Sequence, residues 1–146
     1  MLSDPWSELT LLLRLLVAAV LAGVLGWERE SARKSAGLRT HMLVGVASAL
    51  FTVLGTLSVA EYAGERGDTD PLRVIQAIAI GIGFLGSGVI FVARDRKEVL
   101  GLTTAGSIWA TAAIGIAAGL GYYVLALGST VLLLVVLRAM SRFDRD

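Results

Sequence analysis

Apolar residues fill this chain in long stretches with little strict alternation, and five windows stand out, at about residues 9–27, 41–60, 74–92, 102–119 and 121–137. Each approaches the roughly 20 apolar residues that cross a hydrocarbon core about 30 Å thick, so the pattern predicts membrane-spanning helices. The last two windows come from one uncharged run, Leu102 to Leu137. As a single helix that run would be roughly 54 Å long, far more than a bilayer needs, so the chain must fold back. Gly119-Leu120-Gly121 is the natural turn, because glycine takes the positive φ that closes a helix. Asp70 and Pro71 precede the third window as an N-cap and a first-turn proline would.

The polar segments between the windows orient the chain. Arg29, Arg33, Lys34 and Arg39 follow the first window, Arg94, Arg96 and Lys97 follow the third, and Arg138, Arg142 and Arg145 follow the fifth. The opposite side receives only Arg66 and Arg73, together with Asp4, Glu8, Glu61, Glu65, Asp68 and Asp70. Positive charge marks the cytoplasmic face, which predicts an all-α polytopic bundle of five spans with the N-terminus outside and the C-terminus inside. Residues 1–146 then form a single transmembrane domain.

Composition narrows the function classes. Only 17% of residues are charged, against roughly a quarter in soluble domains, and mean hydropathy is +0.75. A net charge of +1 leaves no basic field for nucleic acid. With no cysteine and one histidine, neither thiolate metal sites nor a histidine cluster can be assembled. The N-terminal MLSDPWSEL lacks the basic start of a secretory signal, so the first window is expected to remain in the mature protein. No nucleophile comes with a base, and the five windows contain no carboxylate, so the expectation is a non-enzymatic protein without metal or cofactor.

Small residues are the next signal, because close backbone approach, not apolar collapse, drives helix association in lipid. Ala18, Ala22 and Gly26 form one ridge, Gly115 and Gly119 a GxxxG pair, and Gly81, Gly83, Gly86 and Gly88 the densest patch. That patch reads either as close packing or as a locally unwound segment, with Ser87, lining a polar cavity. Arg14 can snorkel to the outer interface or pair with an outer acid such as Asp70. Asp70, Arg73 and Gln76 form an outer polar group, in which Asp70 and Arg73 suit a local cap and salt bridge. Arg66-Gly67-Asp68 matches an adhesion triplet, which three residues are too few to support.

On the cytoplasmic side, Glu28 and Glu30 follow the first window, Arg39, Thr40 and His41 open the second, and Thr103, Thr104 and Ser107 open the fourth. Gly37-Leu38-Arg39-Thr40 echoes Gly101-Leu102-Thr103-Thr104, at two helix N-termini whose free N–H groups favour negative charge. The cluster Glu28, Arg39, Thr40, Thr103, Thr104 and Ser107 is therefore a candidate polar site for Glu28 itself or an anionic ligand. Its purely structural counterpart is a set of hydroxyl caps with a Glu28 to Arg39 salt bridge. His41 suits an interfacial position better than a ligand role.

In order and spacing, four motifs across about residues 10 to 125 resemble the MgtC/SapB family of bacterial inner-membrane proteins. They are Gly26-Trp27-Glu28-Arg29-Glu30; Ala36-Gly37-Leu38-Arg39-Thr40-His41-Met42-Leu43-Val44; Asp70-Pro71-Leu72-Arg73 with Gly81-Ile82-Gly83-Phe84-Leu85-Gly86-Ser87-Gly88-Val89-Ile90; and Gly101-Leu102-Thr103-Thr104-Ala105 with Ser107-Ile108-Trp109. Ser87 and Gly106 stand where the family more commonly has alanine. The resemblance implies a multi-pass plasma-membrane protein associated with growth under magnesium limitation and, in pathogens, survival inside macrophages. It also implies a regulatory role toward membrane machinery such as the F-type ATP synthase, with self-association left open. Many relatives append a soluble domain, whereas this sequence ends nine residues after its last window, so the membrane part is expected to carry the function. A small ion or solute transporter is the alternative. Direct magnesium transport is not expected, since such a path would offer carboxylates.

Overall fold

The computed structural model describes residues 4–62, 70–93 and 98–143. Five helices account for most of them: α1 (Pro5–Ser31), α2 (Leu38–Tyr62), α3 (Leu72–Ser87), α4 (Leu102–Gly119) and α5 (Tyr123–Phe143). Two short strands, β1 (Phe91–Ala93) and β2 (Glu98–Leu100), pair antiparallel between α3 and α4, with Phe91 opposite Leu100 and Val92 opposite Val99. Among the described residues, α1, α4 and the Leu38–Glu61 part of α2 are long and apolar enough to cross a membrane, while α3 and the Tyr123–Ala139 part of α5 are shorter.

The third window is where the structure departs most from the hydropathy pattern. Its helix ends at Ser87, and the apolar residues beyond it turn and enter the hairpin. Gly86 and Gly88 weaken the helix there, and the run Val89 to Val92 is rich in residues that suit a pleated strand. Hydropathy cannot distinguish the two because both conformations are apolar. Gly101 then joins the hairpin to α4 at φ +87°, and an added Cβ would run into the Val89 carbonyl. No side chain fits at that position.

The fold-back after α4 forms where the glycines place it. Tyr122 N–H donates to Ala117 O and Gly121 N–H to Ala118 O, both at 2.9 Å, with Gly121 at φ +84°. This pair of bonds satisfies carbonyls that the helix end would otherwise leave free. At the start of α3, the Asp70 carboxylate accepts from Leu72 N–H at 2.9 Å, as a capping residue should.

α4 is the hub. Its Ile114 and Ala118 pack with Ala18, Leu21 and Leu25 of α1 and Ala126 and Leu137 of α5. Its Ile108 and Ala112 pack with Val44 of α2 and Ile78 and Ile82 of α3. Glycine permits the α1–α2 and α2–α4 seams. An added Cβ on Gly26 would lie 2.7 Å from Leu38 Cα and one on Gly45 2.5 Å from Ala22 Cβ, so the Ala18–Ala22–Gly26 ridge sits directly on α2. Gly115 faces the Gly45 carbonyl, and Gly119 faces the Ala49 carbonyl at 2.7 Å from the would-be Cβ, so the GxxxG pair sets the α2–α4 approach.

Candidate functional site

At the α1–α2 end of the bundle α1 continues past Trp27 to Ser31, which places Glu28, Arg29 and Glu30 within its last turns instead of after them. The extension changes the chemistry of the site. Glu28 and Arg29 are buried, at 7% and 1% exposure, and pair with each other: Arg29 Nη2 donates to Glu28 Oε1 at 2.8 Å and Nε to Oε2 at 2.5 Å. Such a fork satisfies both charges where water cannot.

His41 is fully buried beside this pair, within electrostatic reach of both charges. Its Nδ1 lies 2.9 Å from Gly37 O and its Nε2 3.1 Å from Ser107 Oγ on α4. A carbonyl only accepts, so Nδ1 carries a proton. The Ser107 hydroxyl also lies 2.8 Å from Thr104 O, so its single proton serves either that carbonyl or His41 Nε2. The imidazole thus ties α2 to α4 one turn inside the bundle, with Thr104 and Thr111 buried alongside.

The free N–H groups of α2 receive their anion from within the chain: Glu30 Oε2 accepts from Leu38 N–H at 2.8 Å. Negative charge is indeed drawn to this helix N-terminus, but from Glu30 and not from Glu28. The two echoing segments do mark equivalent places, since α2 starts at Leu38 and α4 at Leu102.

The structure divides the six residues of the expected cytoplasmic cluster. Glu28, Thr104 and Ser107 are buried at the α1–α2–α4 junction, whereas Arg39, Thr40 and Thr103 are exposed around it. The Glu28 to Arg39 salt bridge does not form, because the extended α1 supplies Arg29 next to Glu28. Adjacent residues on a helix usually diverge, so Arg29 gave no signal in the sequence as the partner. His41, expected at an interface, is instead fully buried, packed so closely on α1 that an added Cβ on Gly26 would meet His41 Cβ at 2.9 Å.

At the other end, Asp70, Arg73 and Gln76 are all exposed. No Asp70–Arg73 ion pair forms among the described residues, and the Asp70 carboxylate is engaged with Leu72 N–H. Arg14 neither snorkels free nor meets Asp70. Its Nη1 donates to Gly119 O at 2.9 Å, a cation on the negative end of α4, while Nε is buried without a partner. In the glycine patch the tight approach expected across Gly81 to Gly88 is missing at three positions: an added Cβ on Gly86 would make only an ordinary contact, 3.6 Å from Ala105 Cβ, and one on Gly81 or Gly83 would meet nothing within 4 Å. The cavity beside Gly81 is apolar, lined mainly by leucine, isoleucine, valine and alanine of α2 and α3, and α3 stays helical through Gly81, Gly83 and Gly86 and ends just before Gly88.

The MgtC family profile matches residues 15–146. The chain is 41% identical over 127 residues to the putative magnesium transporter YhiD of Escherichia coli K12, which covers 86% of this chain and 58% of the relative. It is 40% identical over 119 residues to Protein MgtC of Brucella abortus, covering 82% and 46%. An uncharacterized protein of Synechocystis is 40% identical over 141 residues, covering 94% and 56%. The chain therefore spans about half the length of these curated relatives. No solved structure matches.

Proposed function

The chain belongs to the MgtC family, and from that premise we propose that it is a non-enzymatic, multi-pass protein of the bacterial inner membrane that modulates other membrane machinery during adaptation to low magnesium. The F-type ATP synthase is the partner this reading names, and intramacrophage survival is its setting in pathogens. Five spans, with the N-terminus outside and the C-terminus inside, complete the proposal.

The observation that carries it is how the polar groups are used. Many of them bond within the bundle: Glu28 with Arg29, His41 with Gly37 and Ser107, and the Thr52, Thr111 and Thr130 hydroxyls with carbonyls of their own helices. A divalent cation favours carboxylate oxygens, and the one carboxylate buried among the described residues, Glu28, is neutralised by Arg29. Arg39, Thr40 and Thr103 are instead exposed on the rim of the buried cluster, where they can meet a partner.

The test combines transport and growth. Purified protein in liposomes should pass no magnesium, and Arg39→Gln should abolish rescue of growth in low magnesium at normal abundance, since exposed substitutions change stability by only about 0.5 kcal/mol. Full rescue by Arg39→Gln would remove the rim from the mechanism. Magnesium flux through wild-type liposomes would favour the second reading, transport, which the name of the Escherichia coli relative, a putative magnesium transporter, supports.

A further inference from the structure

α2 and α3 touch at one end and part along the rest of their length. At Gly55 an added Cβ would lie 2.5 Å from Val74 Cγ2, whereas Gly81, farther along α3, has nothing within 4 Å. The wedge between them is a cleft of about 790 Å³ that runs from Leu43 on α2 and Leu85 on α3 to Ser58 and Arg73.

Length and lining select the occupant. Leu43 to Ser58 is a rise of 15 residues along the helix, or roughly 22 Å, and the walls along it are apolar. An extended alkyl chain fits both. Water gains little there, because the walls are almost wholly hydrocarbon.

Charge selects the headgroup. Arg73 is the charged residue lining the cleft, it lies at the start of α3, and it makes no ion pair among the described residues. A guanidinium presents a planar fork of donors suited to phosphate oxygens, and the end of a membrane helix is where a headgroup lies. We propose that the α2–α3 cleft is a binding site for one acyl chain of an anionic phospholipid, with the phosphate held by Arg73.

The proposal is tested on the full chain in nanodiscs, using phosphatidylglycerol and phosphatidylcholine that carry a photoactivatable group on one acyl chain. Phosphatidylglycerol should label α2 and α3 around Ala47, Ala77 and Gly81 roughly tenfold more than phosphatidylcholine, the factor expected from one charge-assisted contact. Arg73→Gln should erase that preference while labelling of the cleft persists. Gly81→Phe, which meets open space, should fill the cleft and block labelling by both lipids, and Ala77→Phe provides the same test should Gly81→Phe fold poorly. Equal labelling by the two lipids in wild-type protein would overturn the assignment, as would absence of label from the cleft. Disulfide cross-linking between copies through Ala47→Cys and Gly81→Cys would overturn it in favour of a second copy of the chain.

Discussion

Replacing Gly115 by alanine probes the close approach of α2 and α4. The added methyl would enter the space of the Gly45 carbonyl oxygen, with Ser48 Cβ at 3.0 Å and Gly45 C at 3.1 Å behind it. Two of these neighbours are backbone atoms of α2, so rotamer changes cannot relieve the overlap and the helices must separate. Gly119 makes a similar approach to the Ala49 carbonyl along the same seam, so separation at Gly115 loosens it too. Overpacking of this kind costs about 1–3 kcal/mol, and a contact this close belongs at the upper end. Alanine recovers up to about 1 kcal/mol of helix propensity, which leaves a net loss of about 2 kcal/mol. In a detergent melting assay that is a fall in Tm of roughly 4–8 °C for a chain of this size. Gly106→Ala on the same helix is the control: nothing lies within 4 Å, so only the propensity gain remains and Tm should rise slightly or stay level. If Gly115→Ala and Gly106→Ala melt alike, the α2–α4 seam is not held by backbone contact and the reasoning fails.

Other outcomes follow from the same geometry. Glu28→Gln leaves Arg29 charged and buried and should cost about 3–5 kcal/mol, far more than Arg39→Gln; equal melting of the two would show that the pair is wet. The double variant Glu28→Gln with Arg29→Gln should recover part of that loss, because no lone charge is left buried. Arg14→Met removes the donor on Gly119 O and should lower stability by about 1.5–3 kcal/mol, whereas a wild-type melting curve would exclude a capping role. Reporter fusions at Gly67 and Arg96 should give opposite-side signals, with Asp146 agreeing with Arg96; a C-terminus found outside would refute the five-span orientation.

The sequence by itself determined what depends on composition and local geometry. Apolar length set four of the five helices and the need to fold back, and glycine's access to positive φ put the turn at Gly121. The small-residue spacings at Ala18, Ala22 and Gly26 and at Gly115 and Gly119 marked helix seams, because in lipid only close approach is rewarded. The start of α3 was legible from Asp70 and Pro71, and the starts of α2 and α4 from the echoing segments that open at Gly37 and Gly101. Its end was not, because Val89 to Val92 are apolar whether helical or extended. Tertiary structure alone decided which polar groups meet. Arg29 became the partner of Glu28 once α1 ran on to Ser31, and Glu30 took the anion position at Leu38 that spacing offered equally to Glu28. The glycines at 81 and 83 were left open while Gly26 and Gly45 were packed, since local density of glycine says nothing about which helix lies opposite. Pairing across helices rests on rotation and register about each axis, and those are set only when all the helices pack together.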